Sequence, residues 1–287
     1  TDGSGRITVN PGSTAALATR WAADLPYNVY GTLTIPPAGS IELPPATVVK
    51  FRSVGGSVGR FMVEGVLRGS GTAARPVTLT SYRDDTVGGD TDLDGDSSGA
   101  VGDWVGLVST GSGTIDLTET TIRYPGVALA PGGTGGTTLT NSRILDSHHG
   151  VEESVIATRG PLTINSTLFS RVTYQAISLY RTGPDPTITN TTIANTPLGI
   201  QASNNNRPVV DGATFTNVET EVSTDASSAN LTLRNTTDGR ISRSQALLVG
   251  DTSGSSRKTK NFVRNSRPAG CVAGVATSAS RRRSARA

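Results

Sequence analysis

Several residue types that carry common functions are scarce in this 287-residue sequence. A single cysteine excludes a disulfide framework and any zinc site built from several cysteines. Aromatic side chains make up only 5% of the chain. No apolar run approaches the roughly 20 residues that a membrane-spanning helix needs. The sequence therefore predicts a chain without a transmembrane segment and without cysteine-based metal chemistry.

Helical patterns are equally scarce. Only residues 13–25, STAALATRWAADL, combine good helix formers without interruption. Elsewhere Thr, Val, Ile and Gly occur in bursts of four to six residues, separated by Gly, Pro, Asn and Asp. Such bursts are typical of short strands joined by turns, which predicts an all-β fold.

The net charge of +3 is unevenly distributed along the chain. Residues 1–238 hold 15 basic and 22 acidic side chains, a net −7, whereas residues 239–287 hold 11 and one, a net +10. The basic segment lacks periodicity and has the composition of a disordered tail. The alternatives are a basic arm for anionic polymers or membranes, a linker towards further coils, and a truncated or out-of-frame end. We expect a longer chain, and no nucleic-acid partner for the acidic body.

A repeat of about 23 residues organises the body. Two apolar residues five positions apart recur at intervals of 22 to 25 residues: Leu117/Ile122, Leu139/Ile144, Ile164/Phe169, Ile188/Ile193 and Val210/Phe215. A third apolar column is predicted to contain Val127, Val151, Ile177, Ile200 and Val222. A small polar column follows the first: Thr118, Thr140, Asn165, Thr189 and Asp211. These columns predict stacked coils, in which apolar side chains line the interior and neighbouring strands lie about 4.8 Å apart. The predicted fold is a single-stranded parallel β-helix.

The N-terminal part supports this fold with a different pattern. Residues 27–51 and 61–81 alternate as strands with Pro or Gly at the corners, and GDWVGL follows at residues 102–107. Over residues 20–237 the chain resembles secreted bacterial right-handed parallel β-helix proteins of the pectin-lyase-like superfamily. The resemblance implies a right-handed helix over residues 27–238, a short N-terminal cap within residues 1–26, and an extracellular or cell-surface location. It does not imply one activity, since lyases, hydrolases, adhesins and scaffolds share the fold.

An acidic insertion at residues 83–103 carries the clearest chemical signal. It holds seven carboxylates and one cation, Arg83. Asp90, Asp92, Asp94 and Gly95 repeat the first half of an EF-hand calcium loop, in which alternate carboxylates converge on a hard cation. The twelfth position is Val101 instead of Glu, which excludes a complete EF-hand. We predict that Asp90, Asp92, Asp94 and Asp96 bind a structural Ca²⁺, with Asp84, Asp85 or a backbone carbonyl completing the shell. The alternative is a solvated acidic loop.

No catalytic set is assigned, because no motif joins an acid, a base and a substrate platform. The acidic pairs Asp116/Glu119 and Glu152/Glu153 are also explained by solvated turns, and His148 and His149 by a surface turn. Three arginines, Arg123, Arg143 and Arg171, are expected to point outward just after the second apolar column. Tyr124, Tyr174 and Tyr180 are the only candidate carbohydrate platforms on the body.

Two functions remain open. The favoured one is an extracellular or cell-surface, non-catalytic module with a structural calcium loop. It would be a spacer or scaffold, an adhesin, or a module that contacts polysaccharide or cell-surface glycan. The alternative is a polysaccharide lyase or glycoside hydrolase that acts on acidic polysaccharide. The enzyme requires at least two carboxylates, or Ca²⁺ and an arginine, within about 10 Å in a groove.

Overall fold

Short strands wind into coils that stack along one axis. A computed structural model describes residues 5–10, 12–14, 18–153, 159–180, 182–225 and 231–237, and the backbone of residues 241–243. None of these residues is helical. Every strand pairing between coils is parallel, and each complete coil contributes to three ladders, which we call faces A, B and C. Face C alone contains nine strands, one from each of nine coils. The predicted all-β parallel solenoid is confirmed.

The strands follow the order A, B, C within each coil. Face A contains β1 (Ile7–Val9), β3 (Tyr27–Tyr30), β6 (Val48–Arg52), β9 (Val77–Ser81), β12 (Thr120–Arg123), β15 (Arg143–Leu145), β18 (Leu168–Ser170) and the first parts of β21 (Thr192–Ala202) and β23 (Thr214–Thr224). Face B contains β4 (Thr32–Ile35), β7 (Arg60–Val63), β10 (Gly106–Ser109), β13 (Val127–Pro131), β16 (His149–Glu152), β19 (Gln175–Leu179), the later parts of β21 and β23, and β25 (Ile241–Arg243). Face C contains β2 (Thr19–Arg20), β5 (Ser40–Leu43), β8 (Val66–Ser70), β11 (Thr114–Thr118), β14 (Thr137–Thr140), β17 (Leu162–Asn165), β20 (Thr187–Thr189), β22 (Val209–Asp211) and β24 (Thr232–Arg234).

The columns predicted from the sequence consist of residues that pair with one another in neighbouring coils. Leu117, Leu139, Ile164, Ile188 and Val210 pair successively on face C. Ile122, Ile144, Phe169, Ile193 and Phe215 pair successively on face A. All ten side chains are buried in one continuous core, and the small polar column is also in register. Because one coil cannot cover its own apolar side chains, this stacking buries them.

One member of the third column was predicted wrongly. Leu129, not Val127, pairs with Val151, whereas Val127 pairs with His149 and is only partly buried. Leu129 keeps the seven-residue spacing that separates Ile144 from Val151, whereas Val127 lies only five residues after Ile122. The residues between the two columns include the corner between faces A and B. Val127 comes directly after this corner, at the start of β13, and its side chain does not reach the buried register that Leu129 fills.

The N-terminal segment also differs from the prediction. Residues 13–25 were expected to form a cap from good helix formers, but their described residues contribute to the first coil. Thr14 bridges to Thr34, and β2 pairs with β5. The coils therefore begin before residue 27, since β1 already pairs with β3. Pairing with the next coil outweighs the weak helical preference of a short segment.

Aromatic side chains fill the interior near this end. Trp104 stacks on Phe51 with ring centroids 4.2 Å apart, and its indole Nε1 donates to the carbonyl of Arg123 at 2.8 Å. Trp21 stacks on Tyr27 at 4.0 Å. Both tryptophans are buried, as expected for structural residues.

The predicted basic tail, residues 239–287, lies outside the described residues except for the backbone of β25, which pairs with β23. In the part of the chain that the structure describes, no helix has the length and apolar character needed to cross a membrane.

Candidate functional site

The acidic insertion connects β9 to β10 and lies against the outer side of face A. Asn28, Lys50 and Thr80 are consecutive outward members of one register, and all three are fully buried. The Lys50 Nζ donates to the carbonyl of Gly89 at 2.6 Å, and the Asn28 amide donates to the carbonyl of Thr91 at 3.3 Å. The insertion is thus docked by polar groups that the outer face presents.

Asp84 fixes the start of the insertion. Its buried carboxylate accepts hydrogen bonds from the hydroxyls of Thr80 at 2.6 Å and Thr86 at 2.5 Å. Arg123, from the next coil, donates to the same carboxylate at 3.2 Å. Because these donors satisfy its oxygens, Asp84 is a structural anchor, not a free ligand.

Four carboxylates converge beyond this anchor. Asp85, Asp90, Asp92 and Asp94 each offer an oxygen, and these oxygens all lie within 4.8 Å of one another. Three of them belong to the predicted metal set. The fourth predicted member, Asp96, is exposed and lies outside the group, and Asp85 takes its place. We call these four residues the Asp cluster.

Local hydrogen bonds explain which residues converge. The Asp90 carboxylate accepts from the backbone N–H groups of Leu93 at 2.6 Å and Gly95 at 3.1 Å, which curls the chain around it. Gly95 has a φ of 92°, a conformation that favours glycine, and it turns the chain away after Asp94. The Asp85 carboxylate accepts from the Ser97 N–H at 2.7 Å, which ties the two ends of the loop together.

Lys50 is the cation nearest to the cluster among the described ion pairs. Its Nζ lies 3.6 Å from Asp85 Oδ1, and the side chains of Lys50 and Asp85 are 0% and 7% exposed. Burial lowers the pKa of Lys50, and Asp85, Asp84 and Asp92 partly oppose this shift. Sequence reasoning missed Lys50. The available signal was its place as the only lysine before residue 258, at an outward strand position.

The electrostatics of the cluster indicate excess negative charge. Burial, a hydrogen bond with Asp90, and repulsion by Asp94 and Asp85 raise the pKa of Asp92 to about 6. Burial also acts to raise the pKa of Asp90, but the hydrogen bonds from Leu93 and Gly95 outweigh it, so this pKa is lowered. Asp85 Oδ1 and Asp92 Oδ1 are buried and accept no hydrogen bond from the residues that the structure describes. These two oxygens suit a cation chemically.

A cleft of about 430 Å³ adjoins the cluster. Asp92 and Asp94 line it together with Phe51, Arg52, Ser53, Ser81, Tyr82, Arg83 and Asp103. The Arg52 guanidinium lies over the Tyr82 ring, 4.8 Å from its centroid. Asp103 is held by the Ser81 hydroxyl at 2.6 Å and the Ala100 N–H at 2.8 Å. The cleft therefore brings carboxylates and guanidinium groups to one place.

Other candidate groups do not form a common site. Arg123 pairs in register with Leu145, and Arg143 with Leu168, while Arg171 lies beyond β18 and binds Asp146 through two hydrogen bonds of 2.6 and 2.8 Å. Arg143 and Arg171 are exposed and Arg123 is partly exposed, as predicted, but the three do not occupy matching positions in their coils. Glu152 is partly exposed, whereas Glu153 is buried and paired with Arg159. These two carboxylates consequently do not face one substrate.

The architecture defines a parallel β-helix that carries an acidic loop on one outer face. A family model described as a right-handed β-helix region matches residues 106–282, which is 177 of the 287 residues. The chain belongs to this family of right-handed β-helix domains. No curated protein and no solved structure gives a significant match to the chain.

Proposed function

We propose that this chain is a non-catalytic, extracellular or cell-surface scaffold that contacts polysaccharide, and that Ca²⁺ fastens residues 83–103 to its outer face. The convergence of four carboxylate oxygens within 4.8 Å is the observation that carries the calcium part of the proposal. The buried Asp92 Oδ1, which accepts no hydrogen bond from the described residues, supports it as well.

Calcium fits this donor set better than other common ions. The cluster offers only oxygen ligands, which excludes a preference for soft metals. Ca²⁺ takes six to eight oxygens in flexible geometry, whereas Mg²⁺ demands a regular octahedron and retains water. An irregular loop with four carboxylates and a nearby carbonyl of Gly89 suits the larger ion. Sites of this kind in extracellular modules bind at the high calcium concentrations found outside cells, which supports the proposed location.

The metal's role follows from where its ligands lie. All four belong to the insertion, and Asp85 also contacts Lys50 of face A. A cation bound there would neutralise repulsion within the loop and hold the loop in its docked form. Binding to the folded state alone stabilises a protein by about 2.7 kcal/mol when the ligand is at a hundred times its Kd.

Thermal unfolding tests this role. Wild type is unfolded in EDTA, in excess Ca²⁺ and in excess Mg²⁺, beside a D90N/D92N/D94N variant and an Asp96→Asn control. We expect Ca²⁺ to raise the Tm of wild type and of the control, and to leave the triple variant unchanged. A wild-type Tm that does not respond to Ca²⁺ would contradict the proposal.

The cleft supports a second candidate, a polysaccharide lyase or hydrolase. Asp92, Asp94 and Asp103 line it with Arg52 and Arg83, which is the combination of acids and arginine that such an enzyme requires. Incubation with polygalacturonate and alginate, followed by assays for unsaturated and reducing ends, separates the candidates. The scaffold predicts no product. Product that is lost in Asp103→Asn would establish the enzyme instead.

A further inference from the structure

One aromatic side chain differs from the rest in exposure. Tyr174 is 53% exposed and is the only aromatic residue among the exposed large apolar side chains in the described part of the chain. The other two candidate platforms are less exposed than Tyr174. Tyr124 is buried beneath Gly99 of the insertion, and the Tyr180 hydroxyl donates to Gln201 at 2.8 Å.

The Tyr174 ring is held in place by two imidazoles. It stacks on His148 with ring centroids 5.6 Å apart and an interplanar angle of 23°. His149 meets it edge-on at 5.1 Å. The backbone beneath is also fixed, because Tyr174 N–H donates to the carbonyl of His148 at 3.1 Å. A rigid ring loses little entropy when a ligand binds, which favours binding.

Hydrogen-bonding groups surround this ring. His149 Nε2 lies 3.9 Å from a carboxylate oxygen of Glu152, whose side chain is 37% exposed. His149 Nδ1 is buried and has no hydrogen-bond partner among the described residues. Gln175 pairs with Leu198 of the next coil, so Pro197 is the residue of that coil that lies in register with Tyr174. Flat apolar surface and polar groups thus lie side by side at the corner between faces A and B.

We propose that Tyr174 and His148 form a stacking subsite for a pyranose ring of a neutral polysaccharide lying along the solenoid. This inference rests on the polysaccharide contact in the proposed function and names its residues. The apolar C–H face of a sugar stacks on an aromatic face, and its hydroxyls need nearby donors and acceptors. A neutral sugar is favoured over an acidic one because Arg171 is already paired with Asp146, and the partly exposed Glu152 carboxylate, 3.9 Å from His149 Nε2, would repel a second carboxylate.

The size of the patch argues against a protein partner. A stable protein interface covers about 800 Å² on each partner, and its centre is apolar. Among the residues that the structure describes, the other exposed large apolar side chains are Val54, Val58, Leu93 and Val101, all before residue 102 in the sequence. A single ring bordered by polar groups suits one sugar unit.

Affinity gel electrophoresis tests the subsite with galactomannan, xyloglucan and hydroxyethylcellulose as neutral probes and polygalacturonate as the acidic probe. The proteins are wild type, Tyr174→Ala, Tyr174→Phe and His148→Ala. Val58→Ala is the control, because it removes exposed apolar surface away from the proposed subsite. We expect at least one neutral gel to retard wild type. Tyr174→Ala should weaken that binding about threefold to tenfold, His148→Ala should weaken it less, and Tyr174→Phe and Val58→Ala should retain it.

Several outcomes would overturn the subsite. In the first, no neutral gel retards wild type. In the second, Tyr174→Ala binds as tightly as wild type. In the third, Val58→Ala loses as much affinity as Tyr174→Ala. Unchanged Tm values confirm that each variant is folded. Calcium-dependent unfolding is measured separately, so failure of the stacking subsite and failure of the calcium site are distinguished.

Discussion

Two of the places where the described part of this solenoid buries charge are built differently. At the corner between faces B and C, Glu153 forms an ion pair with Arg159, and both side chains are almost fully buried. Arg159 also donates to the Asn206 side chain at 2.8 Å. On the outer side of face A, Lys50 lies beside an Asp cluster of four carboxylates.

The difference lies in charge balance. In the corner pair one carboxylate meets one guanidinium, and burial lowers the pKa of Arg159 while Glu153 opposes that shift. Under the insertion Lys50 pairs with one of four clustered carboxylates, and the pKa of Asp92 is raised to about 6. In the first region the opposite charges are paired, whereas we expect the second region to gain stability from the Ca²⁺ that we propose. Burial of charge therefore indicates a ligand only where the charges fail to balance.

The largest effect is expected at the corner pair. Arg159→Met leaves Glu153 buried without its cation, which should lower the free energy of unfolding by about 3–5 kcal/mol. Urea unfolding followed by circular dichroism measures this loss. The double variant E153Q/R159M should recover much of it, because neither charge remains. A double variant as unstable as Arg159→Met would show that packing, not charge, sets the loss.

Lys50→Met should have the next largest effect, and metal should modify it. In EDTA the variant leaves Asp85 buried against an apolar side chain, which costs about 3 kcal/mol. In Ca²⁺ the loss should be smaller, because the ion supplies positive charge to Asp85. Arg68→Met, at an exposed position of face C, is the matched control and should change stability by less than about 1 kcal/mol. Equal losses for Lys50→Met with and without Ca²⁺ would contradict the account.

The change in Tm that Asp92→Asn causes should have opposite signs in the absence and in the presence of Ca²⁺. Its folded pKa of about 6 lies above the ordinary 3.8, so the folded state binds more protons between these values. The contribution of Asp92 to stability therefore falls as pH rises from about 4 to about 6. In EDTA at pH 7, Asp92→Asn should raise the Tm by a few degrees, and in Ca²⁺ it should lower it. A variant that shifts the Tm in one direction under both conditions would refute this reading.

The smallest effect is expected for an exposed pair. Arg20 and Glu42 lie 2.8 Å apart on face C, with side chains 64% and 39% exposed. Glu42→Gln should cost less than about 1 kcal/mol, and high salt should remove the difference from wild type. Urea unfolding at low and high ionic strength measures both. If Glu42→Gln lost as much free energy of unfolding as Arg159→Met, buried and exposed ion pairs would not differ in their contribution to stability.

The repeat made the fold predictable, because each interior position recurs at a nearly constant spacing. Ile144, Phe169 and Ile193 could be aligned from the sequence, and their strands pair in that register. The error at Val127 arose where a corner of unusual composition, Tyr124 to Gly126, obscured the spacing.

The acidic site was less accessible to sequence reasoning. The alternation of Asp90, Asp92 and Asp94 is local, so it was visible. Asp85 and Lys50 join the site only because the loop folds back onto face A, and Lys50 lies 35 residues before Asp85. Contacts across such distances depend on the docking of the loop, which no local pattern encodes.

Calorimetric titration with Ca²⁺ tests the central claim most directly. Wild type, Asp85→Asn and Asp96→Asn are titrated after removal of metal, so that a cluster residue is compared with an exposed neighbour of the same type. The account predicts one saturable site in wild type, weaker binding in Asp85→Asn by at least about tenfold, and wild-type affinity in Asp96→Asn. Absence of saturable binding to wild type, or equal losses in the two variants, would contradict it.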